Sequence, residues 1–197
     1  MKIIKFKIRG VVPTIQHNGQ TSDPLNHFAK EIKKISSKKV KTDDDYMEMA
    51  RLEWFASLYT NDHEQIIWPA ENIEKMIADA AKKTRQGKQT LAGIFIDGDT
   101  KLEYEGPKDP KKLWEFASFE KNPFVSRVSA VVKSSNGRIM RTRAIFRDWA
   151  VQFNVNYMED LLSASQIKDF VNTAGTIIGL SDWRPKYGRF VVESVEE

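Results

Sequence analysis

Residues 149–157 constrain the fold more than any other stretch of this chain. Trp149, Val151, Phe153, Val155 and Tyr157 alternate with Gln152, Asn154 and Asn156. A two-residue period puts the large apolar side chains on one face and the amides on the other, so the segment is a strand at the centre of a sheet with one face buried. The chain begins the same way. Ile4, Phe6 and Ile8 alternate with Lys5, Lys7 and Arg9, which makes one face core and the other positive. A last strand is predicted at 189–195, through Phe190, Val191, Val192 and Val195.

Between these strands the apolar spacing turns helical. Glu71 and Glu74 lead a helix over 70–85 whose Ile73, Met76, Ile77, Ala80 and Ala81 share a stripe. Its end carries Lys82, Lys83 and Arg85 before Gly87, the sign order that a helix dipole favours. Ser163 and Gln166 form a capping box for a helix over 163–174, carrying Ile167, Phe170, Val171 and Ala174 and ending at Gly175. Thr90 to Ile96 and Lys101 to Tyr104 flank Asp97, Gly98 and Asp99 and read as a hairpin.

The resulting order is strand, helix, strand, strand, helix, strand. It predicts an α+β fold with a ferredoxin-like (RRM-like) βαββαβ core in a single domain, built from 1–22, 64–100 and 147–197. Two insertions decorate it. The first, 23–63, is helical: Leu25, Phe28, Ala29 and Ile32 stripe one helix, and Asp43, Asp44 and Asp45 start a second that carries Tyr46, Met49, Trp54, Phe55 and Leu58. The second, 101–146, is irregular over 107–123 and then a hairpin, Arg127 to Lys133 and Arg138 to Phe146, about a turn at Ser135, Asn136 and Gly137.

Composition narrows the function. With 197 residues, 41% of them hydrophobic, the chain can bury a real core. It has no cysteine, which excludes disulfides, thiolate metal sites and a thiol nucleophile. No apolar run has the length of a membrane span, and the alternating N-terminus is unlike a signal peptide, so the expected location is the cytoplasm. The net charge of +4 is modest, but the cations are clustered.

One cluster lies in the loop from Gly179 to Phe190, where glycines, Trp183, Arg184, Lys186, Tyr187 and Arg189 follow one another. Glycine lets backbone amides approach a ligand, Arg and Lys neutralise phosphate, and Trp or Tyr offers a face to a base. Arg138, Arg141, Arg143 and Arg147 form a second cluster around the hairpin; they suit a phosphate backbone, and equally a salt-bridged face. Lys82, Lys83 and Arg85 either bind phosphate or stabilise their own helix end. Lys5, Lys7 and Arg9 either bind nucleic acid or protect a strand from edge pairing.

The order of elements and three segments resemble the RAMP superfamily, the RNA-binding subunits of CRISPR effector complexes, most of all the backbone subunits that polymerise along guide RNA. The segments are Ile3 to Gly10, Ile67 to Lys83 with Pro69 before its helix, and the loop from Gly179 to Phe190. The resemblance implies an RNA-binding module, a stand-alone or virus-borne relative, with self-association or effector subunits as partners. It also implies an alternative, an endoribonuclease, since some members place a catalytic histidine after the first strand, where His17 stands.

No second base or acid for His17 can be picked out of the sequence. Asp43 to Asp45 lacks calcium-loop spacing, and His27 and His63 lack zinc-spaced companions. There is no phosphate-binding loop, dinucleotide fingerprint or serine elbow, so no cofactor or metal is expected. The leading reading is a non-enzymatic protein that binds RNA or single-stranded nucleic acid. A viral or phage interaction or assembly protein and a sponge for small nucleotides stand as further alternatives.

Overall fold

Strand β1 (Lys2–Gly10) runs antiparallel to the strand at Trp149–Tyr157, with Phe6 opposite Phe153 and their rings stacked 5.6 Å apart. This register sets the two alternating segments side by side in one sheet, apolar on one face and polar on the other. In the computed structural model, which describes residues 1–131 and 137–197, the remaining strands are β2 (Thr14–Ile15), β3 (Ile67–Trp68), β4 (Ile94–Ile96), β5 (Thr100–Tyr104), β6 (Val125–Val131), β7 (Arg138–Phe146), β8 (Trp149–Tyr157) and β9 (Phe190–Glu196). The helices are α1 (His27–Ser36), α2 (Asp43–Ser57), α3 (Ala70–Ala81), α4 (Gly87–Gly93), α5 (Pro110–Trp114) and α6 (Ala164–Thr173). Residues 132–136, which include Lys133 and the turn residues Ser135 and Asn136, lie outside the described residues.

The chain divides into two units. The first comprises 1–15, 60–106 and 146–197; the second comprises 16–59 and 107–145. In the first unit an antiparallel sheet has the order β3-β5-β8-β1-β9, with β4 also paired to β8. Ile4, Phe6, Ile8, Val151, Phe153 and Val155 are buried with Ile73, Met76 and Ile77 of α3 and Ile167, Phe170 and Val171 of α6, two helices that pack together. Each such side chain contributes about 1.5–3 kcal/mol by leaving water. Helix α6 begins at the capping box of Ser163 and Gln166, both of whose reciprocal bonds are formed.

Three local expectations are corrected here. Residues 90–93, expected as strand, belong to a helix over Gly87–Gly93, and β4 keeps only Ile94–Ile96. The hairpin about Gly98 does not pair with itself: β4 pairs with the Tyr157 end of β8 and β5 with its Trp149 end. A nine-residue strand offers enough unpaired backbone to bind two short strands in succession, which a local turn signal cannot reveal. Gly175 does not end its helix either. The chain continues through a π-helical turn, Ala174–Ile178, and Gly179 at φ 84° ends it. A Cβ on Gly175 would stand 2.4 Å from the Phe190 carbonyl oxygen, so close packing against β9 requires that glycine.

In the second unit β6 and β7 pair antiparallel, with Arg127 opposite Thr142. Helix α2 starts at Thr42, whose hydroxyl accepts from the Asp45 N–H while the Asp45 carboxylate accepts from the Thr42 N–H. Only its second half is buried; Tyr46 and Met47 are exposed. Trp54, fully buried, packs against Phe55 and Trp114 and donates to the Phe124 carbonyl at 2.9 Å. Among the described residues no helix is long and apolar enough to cross a membrane.

Candidate nucleic-acid interface

The loop from Gly179 to Phe190 is closed on itself. Leu180 N–H donates to the Gly188 carbonyl at 2.8 Å, and Cβ atoms added at Gly179 or Gly188 would fall within 2.8 Å and 2.4 Å of facing backbone oxygens. Both glycines also hold positive φ, 84° and 77°. Their freedom therefore serves the loop's own closure; the space a ligand would need beside them is filled by protein backbone. The segment after β1 pins the base of the loop, through Val11 N–H to the Arg189 carbonyl, Gly188 N–H to the Pro13 carbonyl and Asp182 N–H to the Ile15 carbonyl, all at 2.8–2.9 Å. Buried Thr14 adds a hydroxyl donated to the Leu180 carbonyl at 2.6 Å.

Beyond that pinned base the loop's tip faces solvent. Trp183 is 41% exposed and held at φ 56°, a left-handed backbone that costs a bulky residue free energy. Arg184, Lys186 and Arg189 are exposed, Tyr187 is half-buried, and the Arg189 Nε donates to the Pro185 carbonyl at 3.0 Å.

Two cation clusters that lie far apart in sequence meet at Asp79 on α3. Its carboxylate accepts from Lys75 at 2.5 Å and Lys82 at 2.7 Å, and Arg184 of the loop stands 3.7 Å away. Burial opposes ionisation of this carboxyl, but the two lysine hydrogen bonds outweigh it and hold Asp79 below the usual carboxylate range. Lys82 is raised in turn, by its hydrogen bond to Asp79 and that carboxylate's charge. Three cations share one anion, so the cluster keeps a positive excess. Lys83, Arg85 and Lys88 extend it in sequence; all are exposed, and none makes an ion pair among the described residues. Arg85 ends the 3₁₀ turn Lys82–Thr84 that follows α3, at φ 63°.

The β1 cations have a different setting. Lys5 pairs with Glu196, Lys7 with Glu103 and Glu193, and Arg9 with Glu193 at 2.8 Å. The open face of the sheet thus mixes both signs along β1. Side-by-side placement of β9 and β5 residues with β1 residues follows from strand order, which local alternation does not contain.

The arginines around the hairpin fall in both units. Arg147 belongs to the first unit, and Arg138 is exposed at the start of β7. Arg141 and Arg143 line a cleft of about 430 Å³ within the second unit, with His17 and with Lys33 of α1. The floor holds Glu53, 8% exposed, whose carboxylate accepts from Arg141 Nη1 and from the Thr142 N–H at 2.8 Å. Arg143 reaches the Thr142 carbonyl and His17 Nε2, each at 3.2 Å.

No family model matches the chain, and no curated protein matches it. Its fold is similar to a chain in the cryo-EM structure of the Type III-B Cmr-beta bound to cognate target RNA. The TM-score is 0.57 at 10% identity, over 98% of this chain. This chain spans 59% of the length of that one.

Sequence reasoning did not single out Lys75, Asp79, Lys33 or Glu53. A signal for the first two was present, because Lys75, Asp79 and Lys82 keep the i, i+4 and i, i+3 spacing of ion pairs on one helix face. Nothing local marks Glu53, whose partner Arg141 lies 88 residues away.

Proposed function

We propose that this protein binds RNA or another single-stranded nucleic acid through the tip of the 179–190 loop and the C-terminal end of α3. The observation that carries the reading is the meeting of Lys75, Lys82 and Arg184 on one carboxylate beside an exposed, backbone-strained Trp183. Phosphates would exchange into the positive excess around Asp79, releasing counterions, while Trp183 stacks a base. Lys83, Arg85, Lys186 and Arg189 supply further phosphate partners.

The antiparallel order β9-β1-β8-β4, with α3 and α6 packed together, supports a ferredoxin-like core of the RAMP type. On that reading the protein works with further protein subunits or copies of itself along an RNA, and the likeness to a chain of an RNA-bound Cmr-beta structure supports this context. The test is titration of a labelled single-stranded RNA with wild type and with Lys82→Glu combined with Arg184→Glu. Salt-sensitive binding that the double reversal abolishes is expected. Equal binding by the two proteins would remove this surface from the interface.

A further inference from the structure

At the Tyr157 end of β8 the open face of the first unit's sheet turns apolar. Asn156 stands opposite Ile3 of β1 on one side and Phe95 of β4 on the other, and all three alternate with the core residues Val155, Tyr157, Ile4, Ile94 and Ile96. Ile3 and Phe95 are exposed. So is Met158, which extends the ladder with β4 by donating its N–H to the Gly93 carbonyl at 2.9 Å. Exposed apolar side chains gathered on one face mark a site of interaction.

The amide between them is a second, independent sign. Asn156 is only 5% exposed, and its Nδ2 is buried with no hydrogen-bond partner among the described residues. Nearly all buried donors are paired, so this one calls for an acceptor from outside the chain. Its χ2 is a soft torsion, which lets the amide turn outward when one arrives. The charges beside it count against a polyanion. Lys5, the next residue after Ile3 on this face, is paired with Glu196, and Lys7 beyond it with Glu103 and Glu193, so the rim presents both signs.

We infer that this face binds a second copy of the chain about a two-fold axis near Asn156. Such an axis brings one patch against itself, so each group has to suit its own copy. The amide does. It carries donor and acceptor in one plane, and two of them close a pair in which each N–H donates to the other's carbonyl. Ile3, Phe95 and Met158 form an apolar centre, and the lysines of one copy face carboxylates of the other in a rim of balanced sign, the usual layout of a protein interface. Three apolar side chains from each copy make a small contact, so the dimer is weak and fills only with rising concentration. An isologous contact closes at two copies, so it forms without RNA and does not rest on the RNA-binding reading above.

The experiment is sedimentation equilibrium of nuclease-treated protein over a concentration series. The mass is expected to rise from 22.7 kDa toward twice that value. Phe95→Glu, at an exposed position that leaves the core untouched, should weaken the dimer about tenfold or more by bringing two carboxylates together at its centre. Because the chain has no cysteine, Ile3→Cys and Phe95→Cys can each be probed with a short bis-maleimide. Both should cross-link into dimers, and Ile177→Cys, similarly exposed on the turn after α6, should not. A single 22.7 kDa species at every concentration, a dimer that Phe95→Glu leaves intact, or equal cross-linking at all three positions overturns the inference. Association that appears only when RNA is added also overturns it, and leaves the RNA reading standing. A dimer formed without RNA by a protein that binds no RNA keeps the inference and removes that reading.

Discussion

Replacing Gly10 by alanine tests how the first strand is tied to the candidate interface. A Cβ at this position would lie 2.0 Å from Nε1 and 2.3 Å from Cε2 of Trp149, where carbon contacts need about 3.5 Å. Gly10 is not among the positive-φ residues, so space and not backbone conformation decides the outcome. Trp149 is 1% exposed, meets Phe190 edge-on at 6.4 Å and donates its indole N–H to the Val12 carbonyl at 2.8 Å. It cannot retreat without disturbing that packing. Overfilling a core costs about 1–3 kcal/mol, and a buried donor left unmade costs about 1–3 kcal/mol. Gly10→Ala is therefore expected to destabilise the fold by about 2–6 kcal/mol, as the sum of those two effects.

Urea denaturation followed by circular dichroism measures this, and a double-mutant cycle isolates its cause. In a Trp149→Leu background the clash is gone, so adding Gly10→Ala should cost under about 1 kcal/mol. Equal costs in the two backgrounds would refute the steric argument. Because residues 11–15 leave β1 at this point and pin the 179–190 loop, Gly10→Ala should also weaken the proposed RNA binding although it touches none of the proposed phosphate partners.

Three further outcomes are expected. If Lys75, Lys82 and Arg184 each neutralise one phosphate, they contribute about −2 to the slope of log affinity against log salt, or roughly an 18-fold loss over a fourfold rise in salt. Lys82→Gln with Arg184→Gln should cut that share to about −0.7, read from anisotropy at several salt concentrations, and an unchanged slope would refute the contact. Glu53→Ala strands the Thr142 N–H and the Arg141 guanidinium, at a cost of about 1–3 kcal/mol by urea denaturation. Asp79 has its folded pKa below the ordinary 3.8, so its stabilisation is present above that pH and is lost as pH falls through the depressed value; Asp79→Asn should flatten the acid limb of a pH–stability curve.

Local patterns were enough for the elements whose causes are local. The alternation in 149–157 and at the N-terminus marked β8 and β1, the Ser163–Gln166 pair marked the start of α6, and the stripe from Ile73 to Ala81 marked α3. They failed where a distant strand decided the outcome, as at 90–104, where two short segments pair with β8 and not with each other.

The candidate interface divides along the same line. Residue types alone determined that Lys82, Arg184, Arg141 and Arg143 suit an anionic partner, because charge belongs to the side chain wherever it lies. Whether a cation stays available depends on its neighbours, and those are set by chain crossings that the sequence does not display. Folding gave Lys5, Lys7 and Arg9 glutamate partners from other strands. It gave Arg184 a place beside the α3 lysines, and it closed the 179–190 glycines against backbone. Steric energies fall off within a few ångströms and screened electrostatic ones over about 10 Å, so proximity in space, and not order along the chain, decides which of these groups can meet a phosphate.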